Sequence, residues 1–247
     1  MTEKTLWKAH NSPRQLEFFL PSLYNTKGDK MKIVKLFRDE SIIVCIKPAG
    51  LDSQEGMCSR LREELGREVF CVHRLDKDVG GVMVYALSSA AAASLSAAVA
   101  QRRMEKGYLA VITGKPEEPE AVLRDLLYRD ASKNKSYVVK RMRRGVRQAE
   151  LEYKLLEQLE DKSLLKIKLH TGRSHQIRVQ FSSRAMPLLG DVKYGSKERS
   201  CHIALWSYRL AFPHPERREK MEFLDMPEKI YPWNEFEYFK NREEYNV

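Results

Sequence analysis

Two short β-rich apolar runs, residues 32–38 and 41–47, are joined by Asp39 and Glu40 and stop at Pro48, which predicts a hairpin followed by a turn through PAGL. After Gly81 the run VMVYAL is β-branched at its start and weakly alternating, so a buried strand is predicted over 82–87. Ser88 or Ser89 then stands where a helix cap is needed. The Ala-rich stretch 90–104, with Leu95 and Val99 on one face, predicts a helix, because Ala has the highest intrinsic helix propensity. Gly107 is expected to end that helix at a positive φ, and YLAVIT to form the next strand until Gly114 and Pro116 break it. Two β-leaning segments, 148–159 and 164–170, flank the charged turn Glu160-Asp161-Lys162, and the first also fits a helix. Residues 175–183 fit a short helix capped by Ser174, or a strand in which Ile177, Val179 and Phe181 alternate. Residues 204–212 read as the last core strand. The tail from 216 to 247 mixes charges with Phe223, Tyr231, Trp233, Phe236, Tyr238 and Phe239, and is expected to pack onto the domain. Strands, one central helix and more strands, without regular β-α alternation, imply an α+β fold: a central mixed, mainly antiparallel β-sheet flanked by helices and loops.

Composition narrows the class. At 247 residues the chain suits one domain with an extension, and no apolar run approaches the roughly 20 residues that cross a bilayer. The apolar stretch near the N-terminus is interrupted by Pro21 and lacks a small-residue cleavage site, so the expected location is cytoplasmic. Cys45, Cys58, Cys71 and Cys201 contain no CxxC pair, which argues against a zinc site, a thioredoxin-like motif or a disulfide framework. A net charge of +10 suits either solubility or a polyanionic partner. Clustering favours the second. From 133 to 147 the chain reads KNKSYVVKRMRRGVR, in which Lys133, Lys135, Lys140, Arg141, Arg143, Arg144 and Arg147 occur without an acidic residue. A solvated hairpin is the plain reading of such a block. Like charges this dense repel one another until a polyanion relieves them, which favours contact with phosphates.

Three polar constellations interrupt the apolar elements. HRLDKDVGG, residues 73–81, sets Asp76 between Arg74 and Lys77 in a loop before a strand. Flanking cations suit a carboxylate that acts as nucleophile or base, and equally suit a surface ion-pair turn. LHTGRSHQIRVQ, residues 169–180, turns at Gly172 and aims Arg173 out of a strand end, where a carboxylate or phosphate is within its chemistry. His170 and His175 do not have the spacing of helical zinc ligands and have no acidic ligand beside them. KGYLAVITG, residues 106–114, starts a strand at Tyr108, which suits a satisfied core tyrosine or a ring on which a base stacks. GDVKYG, residues 190–195, by itself indicates a turn.

In this order the pieces resemble the RluA-type pseudouridine synthases. The resemblance rests on KPAGL (47–51), HRLD (73–76), the Tyr-x-Ala-x-aliphatic-x-Gly strand (108–114), TGRSHQIRV (171–179), GDVKYG (190–195) and His214-Pro215, and spans roughly residues 31–230. It implies a pseudouridine synthase catalytic domain over 31–247 with a short N-terminal extension over 1–30, a cleft for RNA across the sheet, and isomerisation of a specific uridine in ribosomal RNA or tRNA. It implies Asp76 as nucleophile, Tyr108 as the ring that stacks on the target base and a candidate proton acceptor, Arg173 as the arginine paired with the aspartate, and Arg74 as a residue that helps displace the base. His73 and the basic residues Lys140, Arg141, Arg143, Arg144 and Arg147 are expected to contact RNA. Such an isomerisation consumes neither electrons nor phosphate, so no cofactor and no metal are expected, and a monomer is the expected state. An RNA-binding or ribosome-assembly protein that keeps the fold without turnover is the rival reading, and a metal-dependent hydrolase using His73, His170 and His175 a remote one. The chain departs from the family pattern at Val79-Gly80, where Thr-Ser is usual, at Gln180, where His is common, and after KPAGL, where the usual His-Pro is missing.

Overall fold

The computed structural model describes residues 33–240; the expected extension over 1–30, residues 31 and 32, and 241–247 of the tail lie outside the described residues. Asp39 makes the first turn. Its Oδ1 accepts the N–H groups of Ser41 and Ile42, both at 2.9 Å, and the chain reverses between β1 (Lys35–Arg38) and β2 (Ile42–Lys47). An unexpected helix follows, α1 (Glu55–Leu65), started by Asp52, whose Oδ1 accepts the N–H groups of Gln54 and Glu55. Its charged sequence hides a narrow apolar stripe, Met57, Cys58 and Leu61, which is all that it buries.

The short strand β3 (Phe70–Cys71) and the fully buried β4 (Gly80–Ala86) lead into α2 (Ser89–Ala100), which Ser88 caps by accepting the N–H of Ala91 at 3.1 Å. The helix ends four residues earlier than its pattern predicts. Arg102, at φ +57, takes the left-handed position, and Gly107 lies inside β5 (Glu105–Thr113) rather than at a helix end. Packing is why a glycine is needed there: a Cβ would stand 2.8 Å from the ring of Tyr208.

Four strands build the far half of the sheet: β6 (Glu120–Asp130), β7 (Lys135–Val139), β8 (Val146–Gln158) and β9 (Lys162–Leu169). The segment 148–159 is thus strand rather than helix. Residues 133–147 are not a hairpin, because β7 and β8 both pair with β6, which lies between them. The short α3 (Gln176–Ser182) comes next, then β10 (Leu205–Pro213), β11 (Lys220–Leu224) and α4 (Glu237–Lys240).

The strands form one sheet in the order β1-β2-β4-β10-β5-β9-β8-β6-β7, with β11 also on β10 and β3 on β4. All pairs are antiparallel except β4 with β10, where Trp206 faces Gly80 and Ser207 faces Gly81. This is the mixed, mainly antiparallel α+β architecture that the pattern implies. Alternation along β5 explains the layering. Tyr108, Ala110 and Ile112 pack with α1 and α3 on one face, while Leu109 and Val111 meet Trp233, Phe236 and Phe239 of the tail on the other.

Candidate active site

The aspartate loop, residues 72–79, is held by the segment after β2. Lys47 is fully buried, and its Nζ donates to the carbonyls of Pro48 (2.9 Å), Leu51 (2.7 Å) and Lys77 (3.0 Å). The N–H of Gly50 reaches the same Lys77 carbonyl at 2.8 Å. Ser53 Oγ donates to the carbonyl of Leu75 and accepts its N–H, and the Leu75 side chain is buried. With both neighbours fixed, Asp76 is presented from a rigid backbone, its side chain 21% exposed. Gly81 closes the loop at φ +121, where a Cβ would meet the Ser207 carbonyl oxygen at 2.3 Å, so only glycine lets β4 and β10 approach. Val79 is buried and Gly80 lies under the Trp206 ring, a Cβ there standing 2.2 Å from it. Where the family usually has Thr-Ser, this chain has packing, and Ser53 supplies a hydroxyl to the loop.

Opposite the loop, α3 brings a second charge. Its charged residue Arg178 is buried between two carboxylates: Nη1 donates to Asp76 Oδ2 at 2.8 Å, while Nε and Nη2 donate to Asp191 Oδ2 and Oδ1 at 2.7 and 2.9 Å. Asp191 is wholly buried, and such a bidentate pair fixes the guanidinium in orientation as well as place. Burial alone opposes the Arg178 charge, and the Asp191 and Asp76 carboxylates outweigh it, so its pKa is raised. The ring of Tyr194 lies 5.0 Å from the guanidinium carbon, and its oxygen is 2.9 Å from Nδ1 of His175. His175, at φ +54, occupies the cap position assigned to Ser174, with its Nε2 3.9 Å from Asp76 Oδ2. Its pKa is lowered by burial, against the pull of Asp76.

Asp76 and Arg178 share a cavity of about 320 Å³ with Tyr108, Arg173, Arg74 and His73. Asp76 is the one carboxylate among the lining residues, whereas five are Arg or Lys. Tyr108 is 6% exposed; burial, with the nearby Asp76 charge second, pushes its phenol well above the ordinary value, so the oxygen keeps its proton at neutral pH. The site therefore offers one carboxylate, an aromatic ring and a wall of cations, a set suited to a neutral base on a polyanionic chain.

The family model described as RNA pseudouridylate synthase matches residues 41–183. An RNA pseudouridine synthase of Aquifex aeolicus is 32% identical, the match covering 87% of this chain and 77% of that protein. This chain belongs to the RluA-type RNA pseudouridine synthases. The ribosomal large subunit pseudouridine synthase D of Zymomonas mobilis is 29% identical, over 85% of this chain and 74% of its own length, and the tRNA pseudouridine synthase C of Haemophilus ducreyi 29%, over 77% and 89%. Among solved structures, human RNA pseudouridylate synthase domain containing 1 has the same fold, with a TM-score of 0.70 and 23% identity over 81% of this chain and 85% of that one.

The synthase corrects one pairing expected from its sequence. Arg173 does not meet Asp76; its Nε donates to the carbonyl of Gln148 at 2.9 Å, leaving the exposed side chain at the cavity mouth. The turn after β9 is pinned by Gln176, whose Oε1 accepts from the Arg173 N–H and the Thr171 hydroxyl, and this directs Arg173 toward β8. Arg178, five residues on, is the one carried inward by the helix. GDVKYG, taken alone as a turn, supplies both Asp191 and Tyr194. The missed signal was a charged residue among the buried apolar residues Ile177, Val179 and Phe181, which needs a buried acid to accompany it.

The remaining assigned residues fall into two groups. Arg74 is exposed at the cavity, while His73 is buried with its Nε2 accepting the Val84 N–H at 3.2 Å. Lys140, Arg141, Arg143, Arg144 and Arg147 are all exposed, on the crossover from β7 to β8 and the first residues of β8. Arg143 stacks 5.0 Å over Tyr128, and the Arg173–Gln148 bond ties this segment to the cavity mouth. Among the described residues no group of His, Cys, Asp or Glu is arranged to hold a metal: His170 pairs with Glu152 at 2.9 Å and His175 with Tyr194. No described helix is long and apolar enough to cross a membrane.

Proposed function

We propose that the synthase isomerises a specific uridine in ribosomal RNA or tRNA, with Asp76 as the nucleophile. The observation that carries this reading is the Asp76–Arg178–Asp191 array at the floor of a cation-lined cavity that also presents Tyr108. A uridine in a loop or an unstable helix leaves the stack at a cost of a few kcal/mol and enters the cavity, its uracil stacking on the Tyr108 ring. Arg74 and Arg173 at the mouth, and the exposed Lys140, Arg141, Arg143, Arg144 and Arg147 beyond it, meet the phosphates of the flanking strand and offset that cost.

Asp76 acts on the sugar. Its carboxylate oxygen attacks carbon 1′ as the bond to uracil nitrogen 1 breaks, and the uracil leaves with the bonding pair. The uracil turns while held against Tyr108, its carbon 5 attacks carbon 1′ and expels the carboxylate, the carbon 5 proton passes to solvent, and nitrogen 1 takes up a proton from solvent in its place. Every atom of the uracil ring and the sugar is retained apart from that exchanged proton, so no oxidant, reductant or phosphate donor enters. Arg178 holds the carboxylate oxygen in line; since burial keeps the Tyr108 oxygen protonated, the ring face is that residue's contribution.

The test is release of tritium from carbon 5 of uridine in transcribed ribosomal RNA and tRNA. Wild type is expected to release it, and Asp76→Ala to abolish release while binding RNA as before. Equal release by the variant overturns the assignment of the nucleophile.

A further inference from the structure

Of the cations that line the cavity, Lys106 is partly buried and has no counter-charge among the described residues. Lys106 lies two residues before Tyr108 on β5, so both side chains leave the same face of the strand, and both line the catalytic cavity. Arg178 has two carboxylates and Arg173 a carbonyl, but Lys106 makes no hydrogen bond or ion pair among the described residues. It is half-buried, and burial holds its ammonium down at about 8, so it remains mostly charged at neutral pH with less water around it than a surface lysine has. Its titratable neighbour, His73, adds no negative charge. That ring is 8% exposed and kept neutral by burial and by Lys106, and because Nε2 accepts from Val84 the ring proton falls on Nδ1, which is buried without an acceptor. The Lys106 ammonium on the cavity wall therefore lacks an acceptor, a costly arrangement in a free protein and one that a bound anion relieves.

The spacing suggests which anion. Two residues of a strand separate Lys106 from Tyr108 by about 7 Å, a span comparable to that between a nucleotide's base and its own phosphate. We propose that Lys106 binds the 5′-phosphate of the extruded uridine, so that ammonium and tyrosine ring together measure one nucleotide and set the sugar against Asp76. This rests on the pseudouridine synthase reading of the cavity and adds a phosphate subsite inside it, distinct from the exposed basic segment.

The probes are uridine, uridine 5′-monophosphate and uridine 3′-monophosphate, titrated into the full chain by calorimetry or NMR. Wild type is expected to bind the 5′-monophosphate about tenfold more tightly than uridine, the scale of one charge-assisted contact. Lys106→Met, which keeps the length of the side chain without its charge, should bind the two equally, and Lys106→Arg should restore the preference. Thermal melting of each variant checks that it folds. A wild type without preference, a preference retained by Lys106→Met, or one for the 3′-monophosphate overturns the proposal. Should the phosphate preference appear as stated while no RNA releases tritium, the pseudouridine reading fails and the subsite stands.

Discussion

Replacing Arg178 by Met separates what this residue does for the fold from what it does for the chemistry. The guanidinium is buried and neutralises Asp191, whose side chain is wholly buried, while Asp76 is 21% exposed and keeps some contact with water. Breaking a buried pair by removing one partner costs about 3–5 kcal/mol, because a charge is left without compensation. Nearly all of that cost belongs to Asp191. Removing both members, as Arg178→Met with Asp191→Leu, replaces the pair by apolar volume and should recover most of the lost stability. Activity should not recover, since Asp76 still lacks the donor at 2.8 Å that holds its oxygen, and a misplacement of about 1 Å costs on the order of 100-fold in rate. The assays are urea unfolding for stability and tritium release for rate, run on both single variants and the double. The reasoning is refuted if Arg178→Met unfolds within about 1 kcal/mol of wild type, or if the double variant regains wild-type rate.

Acidification should weaken the fold before the carboxylates titrate. His73 and His175 have folded pKa values below the ordinary 6.5, both through burial, so below that pH the unfolded chain binds protons that the folded chain does not. Stability therefore rises with pH in this window and is lost as pH falls from 6.5 toward the folded values. Urea midpoints measured between about pH 7.5 and 5.5 should drop, and a flat profile counts against the burial of these rings. Gly81→Ala, which sets a Cβ 2.3 Å from the Ser207 carbonyl at φ +121, should cost at least about 1–3 kcal/mol in thermal melting; an unchanged melting temperature shows that β4 and β10 separate at little expense. Arg143→Ala with Arg144→Ala should weaken binding to transcribed ribosomal RNA and lower its salt dependence by about 1 for each phosphate no longer neutralised, with tritium release at saturating RNA retained. An unaltered salt slope places the RNA elsewhere.

The motifs proposed to carry the chemistry are local, so they were legible in the sequence alone. Asp76 in HRLD, the Tyr108 strand and the TGRSHQIRV turn each carry their residue types and spacing within about a dozen positions, where neither packing nor topology intervenes. The same holds for the β2 and β4 strands, and for a serine cap narrowed to Ser88 or Ser89, which depend on nearest neighbours and burial period. Partner choice was not local. Asp76 and Arg178 are 102 residues apart, and which arginine of two reaches the carboxylate depends on the angle at which a seven-residue helix leaves the turn that Gln176 pins. Gly107 illustrates the same point in the fold: sequence assigns it to a helix end through its conformational freedom, whereas the structure needs its missing Cβ to admit Tyr208 from a strand about a hundred residues away. Periodicity specifies which face of an element is buried, and only the packed sheet specifies what that face meets, because the free energy of a buried charge or a close approach belongs to the pair and not to either residue.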